Sequence, residues 1–103
     1  MNFADRLMEA IEKKQNPSIV GLDPRIEGLP DDVKEGKPPA EAFLEFNKRI
    51  IDAVAGTVPA VKPQIAFYEQ YGVGGIRTFI DTISYAKKNG LIVLADVKRN
   101  DIG

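Results

Sequence analysis

At 103 residues, 44% of them hydrophobic, the chain is long enough for one globular domain and short for two. Its 14 basic and 15 acidic residues leave a net charge of −1, so no bulk attraction to nucleic acid or to an anionic membrane surface is implied. With no Cys and no His, the sequence excludes disulfides, thiolate nucleophiles, imidazole acid–base catalysis and the usual zinc ligand sets within this chain. Chemistry here must come from carboxylates, amines and backbone dipoles.

The opening MNFADRLMEAIEKK has no basic segment followed by an apolar one, so it does not read as a secretory signal. No apolar stretch approaches membrane-spanning length, and a cytoplasmic location is expected. Asn2 reads as a helix cap, and Phe3, Leu7, Met8 and Ile11 share one face of a helix over residues 3–14. Asn16-Pro17 breaks it. Residues 18–22 then form a short apolar strand that ends in Asp23-Pro24, where the proline holds Asp23 extended.

Residues 24–39 carry four of the seven prolines and no sustained periodicity, which predicts a long loop with one helical turn near Asp31 to Lys34. Such a loop is either functional or a solvated insertion. From Ala40, the residues Phe43, Leu44, Phe46, Ile50, Ile51 and Val54 make a wide apolar stripe, with Glu45, Lys48, Arg49 and Asp52 mostly off it. This predicts an amphipathic helix over 40–55. Two prolines restrict the next strand to 60–64, with Lys62 near its carboxyl end. Val73, Ile76, Phe79, Ile80, Ile83 and Ala86 mark a third helix over 73–89, with Gly90 at its C′ position and Lys87 and Lys88 complementing the dipole. The apolar run 91–95, opened by Asn89-Gly90, reads as a strand buried on both faces and leading to Asp96.

The order helix, strand, helix, strand, helix, strand gives two consecutive βαβ units and a parallel sheet with right-handed crossovers. A closed (β/α)8 barrel needs roughly 250 residues. The fold class expected is therefore α/β, with residues 1–103 the incomplete amino-terminal part of one TIM-barrel domain, cut just after its third strand.

Ionisable residues stand at each strand end: Asp23 on the first, Lys62 on the second, Asp96 and Lys98 on the third, with Asp101 in the following turn. Side chains two apart on a strand project together, so Asp96 and Lys98 are expected side by side. Parallel strands bring their carboxyl ends to one mouth, where barrel chemistry is done. Taken singly, each charge reads equally well as part of an ordinary ion pair at a wet strand end. The Lys–Asp–Lys–Asp array of Lys62, Asp96, Lys98 and Asp101 is harder to explain that way. Arg99 and Asn100 read as solvent-facing.

DVKRNDIG resembles the Asp-x-Lys-x-x-Asp signature of the orotidine 5′-monophosphate decarboxylase superfamily. IVGLDPR and VKPQIAFYEQYG are similar to the first- and second-strand motifs of the bacterial and archaeal decarboxylase branch. The resemblance implies a dimeric (β/α)8 barrel that converts orotidine 5′-phosphate to UMP with no cofactor and no metal. It assigns Lys98 as proton donor to C6 of the pyrimidine and sets Asp96 against the departing carboxylate. It has Lys62 contact the ribose and keep Asp96 ionised, Asp23 bind a ribose hydroxyl, and Asp101 reach into the neighbouring subunit's site. The implied partner is a small nucleotide, with neither nucleic acid nor membrane. Two other readings stay open: a sugar-phosphate decarboxylase or synthase of the same superfamily, which typically uses magnesium, and a non-catalytic fragment or assembly module. The superfamily's phosphate-gripping loop comes from later strands, so residues 1–103 are expected to be inactive alone.

Overall fold

The computed structural model describes residues 2–23 and 25–95. Helix α1 spans Phe3–Lys14. Asn2 caps it as expected, its Oδ1 accepting the Asp5 N–H at 2.8 Å. Gln15 closes it in the left-handed region at φ 52°. The apolar side of α1 is less covered than its periodicity predicts. None of its residues is buried, and Phe3 and Met8 are 45% and 60% exposed. The helix meets the sheet chiefly at its third strand, and Lys14 Nζ donates to the Ala55 carbonyl at 2.5 Å.

Three strands, β1 (Ile19–Leu22), β2 (Ala60–Pro63) and β3 (Ile92–Val93), form one parallel sheet in sequence order. The register pairs Val20 with Val61 and Gly21 with Lys62, and then Val61 with Val93. The two long helices, α3 (Pro39–Val54) and α5 (Gly72–Lys88), cover one face of it, as the βαβ reading requires. Ile51 of α3 and Ala86 of α5 share a buried cluster with Leu22, Val58, Val61 and Leu91. Full burial of a side chain such as Ile51 contributes about 1.5–3 kcal/mol. Gly90 stands at φ 83°, the left-handed turn expected beyond α5.

The segment 24–39 is not a loose insertion. It holds a 3₁₀ turn at Ile26–Gly28 and helix α2 at Asp31–Lys34, the turn anticipated from sequence. Leu29 and Val33 are buried in a second cluster with Ala42 and Phe43. Around it, Glu45 takes Lys37 at 3.1 Å and Arg49 at 2.8 Å, and Arg49 also reaches Asp32 at 3.0 Å. The Lys37 ammonium, hydrogen-bonded to Glu45, holds that carboxyl below its ordinary range.

Two differences from the sequence reading stand out. A short helix, α4 (Ala66–Glu69), follows β2 in a stretch where no element was predicted. The run 91–95 is buried at Leu91 and Ile92, which point to opposite faces, half-buried at Val93 and Leu94, and exposed at Ala95, so its two-sided cover is complete only at its start. Among the described residues no strand pairs with the outer edge of β3.

Candidate active site

Two described members of the predicted charge array, Asp23 and Lys62, stand on the same face of the sheet at the carboxyl ends of β1 and β2. Gly21 and Lys62 are register partners, so both face away from the side where Val20 and Val61 meet the core. Lys62 is exposed and opens onto a cleft of ≈ 460 Å³ lined by Phe3, Val93, Leu94 and Ala95. Asp23 lies on the same side. Its Oδ2 is 3.4 Å from where a Cβ on Gly21 would stand, so the missing side chain leaves the carboxylate room beside Lys62. The other carboxylate oxygen, Oδ1, accepts the Gln64 N–H at 3.2 Å, tying the end of β1 to the end of β2. Asp96, Lys98 and Asp101 lie outside the described residues, as do Arg99 and Asn100.

Sequence reasoning missed what stands directly behind Asp23. The Tyr68 hydroxyl of α4 donates to the Leu22 carbonyl at 2.5 Å, one residue before Asp23. Asn47 of α3 donates through Nδ2 to Tyr68 Oη at 2.9 Å and to Thr82 Oγ1 of α5 at 3.0 Å. All three side chains are buried, with Asn47 1% exposed and Tyr68 and Thr82 fully covered. Burial raises the Tyr68 phenol well above its ordinary value, the Asp23 charge adds to that, and the Asn47 hydrogen bond offsets part of it. The hydroxyl therefore stays protonated and can donate to Leu22 throughout the working pH range. A signal for this network was present in the sequence: Asn47 falls midway between Phe43 and Ile51 on the apolar stripe of α3. A polar side chain there must find a buried partner.

Next to this mouth, Arg25, Glu27, Gln64 and Phe67 line a cleft of ≈ 390 Å³, with the Arg25 guanidinium 5.2 Å above the Phe67 ring. Among the described residues, no group of three or more carboxylates could hold a metal ion. None of the described helices is long and apolar enough to cross a membrane.

Residues 16–103 match the family described as orotidine 5′-phosphate decarboxylase / HUMPS. The chain belongs to this family. It is 50% identical to orotidine 5′-phosphate decarboxylase of Rhodopirellula baltica, an alignment covering 100% of this chain and 36% of the relative. With the enzyme of the same name from Halobacterium salinarum it shares 43% identity over 100% of its own length and 37% of the relative's. The solved structure of Leishmania donovani OMP decarboxylase superimposes with a TM-score of 0.73 at 31% identity, covering 100% of this chain and 36% of that one. The fold is accordingly that of the amino-terminal part of a (β/α)8 barrel. The chain spans about a third of the length of the curated relatives it matches (36% for the first).

Proposed function

We propose that residues 1–103 are part of a single barrel domain that decarboxylates orotidine 5′-phosphate to UMP. The reading rests above all on 50% identity, over the whole chain, to a relative bearing that enzyme's name. The position of Asp23 and Lys62 side by side at adjacent strand ends supports it.

In this reaction the bond between C6 and the carboxylate carbon breaks, CO₂ leaves, and the electron pair remains on C6. The Lys98 ammonium stabilises that developing negative charge and then gives C6 its proton, recovering one from water afterwards. Asp96 lies against the departing carboxylate. Its own charge and that of the partner subunit's Asp101 keep Lys98 protonated despite burial, since a nearby opposite charge favours the ionised amine. Lys62 contacts the ribose and holds Asp96 ionised, while Asp23 accepts a hydrogen bond from a ribose hydroxyl. Asp101 serves the neighbouring subunit's site, so the working form is a homodimer, and its place is the cytoplasm. No step calls for a cofactor or a metal.

The test is the loss of absorbance as orotidylate becomes uridylate. Residues 1–103 by themselves are expected to give no turnover above the uncatalysed rate. A three-stranded sheet does not close around a nucleotide, and remote phosphate binding is what such a reaction converts into rate. They should also self-associate in sizing experiments through the apolar edge of β3, which no strand among the described residues covers. A barrel completed by fusing residues 1–103 to the remainder of the Rhodopirellula baltica relative should turn over, and a folded but silent chimera would remove the proposal.

Chelation provides the second check. Turnover by the chimera is expected to be the same with and without a chelator. Loss of activity restored by magnesium would move the reading to the sugar-phosphate enzymes of the superfamily.

A further inference from the structure

We infer that Tyr68, held by Asn47 and Thr82, is a positioning residue for Asp23, setting where that carboxylate meets the substrate's ribose hydroxyl. The inference rests on the proposed role of Asp23, and it concerns three residues that touch no substrate themselves.

The geometry is a chain of contacts with few free variables. Thr82 of α5 and Tyr68 of α4 both receive a hydrogen bond from the one amide of Asn47 on α3, at 3.0 and 2.9 Å. Three helices are thereby locked to one buried point. From that point the Tyr68 hydroxyl reaches the Leu22 carbonyl at 2.5 Å. Leu22 is the last residue of β1, and its backbone leads directly into Asp23. The carboxylate is fixed on its other side by the Gln64 N–H at 3.2 Å. Gln64 belongs to the segment joining β2 to α4, so the chain leading into the helix that carries Tyr68 holds the other end of the restraint. The Tyr68 ring is itself held by Phe79, edge-on with centroids 5.2 Å apart. A buried network of this kind confers a defined geometry only while every link is present. Removing the Tyr68 hydroxyl frees the Leu22 peptide to rotate, and Asp23 moves with it.

The experiment uses the completed chimera with orotidylate and with analogues lacking the ribose 2′- or 3′-hydroxyl. Asp23→Asn should raise KM for orotidylate by roughly tenfold to a hundredfold, the value of a hydrogen bond to a charged group, and should do little against the analogue lacking its partner hydroxyl. Tyr68→Phe keeps the ring and its packing. It should raise KM for orotidylate by roughly three- to tenfold, leave kcat nearly unchanged, and lose its penalty against that same analogue. A Tyr68→Phe penalty equal on all three substrates, or none on any, would overturn the inference, because a merely structural role cannot sense one hydroxyl. If Asp23→Asn fails to discriminate among the substrates, the assigned role of Asp23 falls instead. The positioning claim is then decided by the Gln64 amide proton, whose chemical shift should move when Asp23→Asn removes the carboxylate it donates to. Tyr68→Phe should shrink that response by half or more, and an unchanged response would sink the claim.

Discussion

In the completed barrel, Lys98→Ala is expected to lower kcat by about 10⁴-fold or more while UMP binds within a fewfold of the parent affinity. In the proposed mechanism two effects coincide at this one amine. Proton transfer from a positioned acid contributes typically 10²–10⁴-fold. Electrostatic stabilisation of charge that exists only in the transition state contributes about 10²–10³-fold per donor. Neither is exercised in the ground state with a bound nucleotide, so the loss should appear in kcat and leave binding nearly intact. Absorbance loss with orotidylate and calorimetry with UMP read the two sides separately. A Lys98→Ala protein with kcat within tenfold of the parent would remove the mechanism. Weakened UMP binding with normal kcat would make Lys98 a binding residue.

The alternation of amphipathic helices with short apolar strands was legible in the chain because each element has its own period. The stripe Phe43, Phe46, Ile50, Val54 can only be a helix, and Asn89-Gly90 can only open a turn. Parallel order followed from those alternations without any contact information. The cap at Asn2 and the left-handed Gly90 were local and equally readable. What escaped was non-local. Helix α4 is a single turn, too short to show a period, and exists because Tyr68 docks under three other elements. Burial of Leu29 and Val33 escaped for the same reason. Leu29 and Val33 look like isolated apolar residues until Ala42 and Phe43 of α3 meet them. At the site, Asp23 and Lys62 were legible as charges at strand ends, but the clasp from Asp23 to the Gln64 N–H depends on register, which no single strand encodes.

The residue most sensitive to that non-local packing is Gly75, and Gly75→Ala is expected to destabilise the completed barrel by about 3 kcal/mol or more, at the upper end of overpacking costs. In isolation the substitution should help, since Ala is better than Gly inside a helix by about 1 kcal/mol. Packing reverses the sign. A Cβ at position 75 would lie 2.8 Å from the Tyr68 carbonyl carbon, closer still to its oxygen, and 3.2 Å from the Tyr71 Cβ. The atoms it meets first are backbone, which cannot swing aside as a side chain would. Relief requires α5 to move away from α4, and Thr82, on the same helix, would be drawn off Asn47 as it moves. Gly56→Ala supplies the control: nothing lies within 4 Å of a Cβ there, so its cost should stay within about 0.5 kcal/mol. Urea midpoints for the two variants and the parent decide the matter. If Gly75→Ala unfolds at the same concentration as Gly56→Ala, α4 and α5 do not touch as closely as described. If it is destabilised and also raises KM for orotidylate above the Tyr68→Phe value, the helix contact and the placement of Asp23 belong to one mechanical unit.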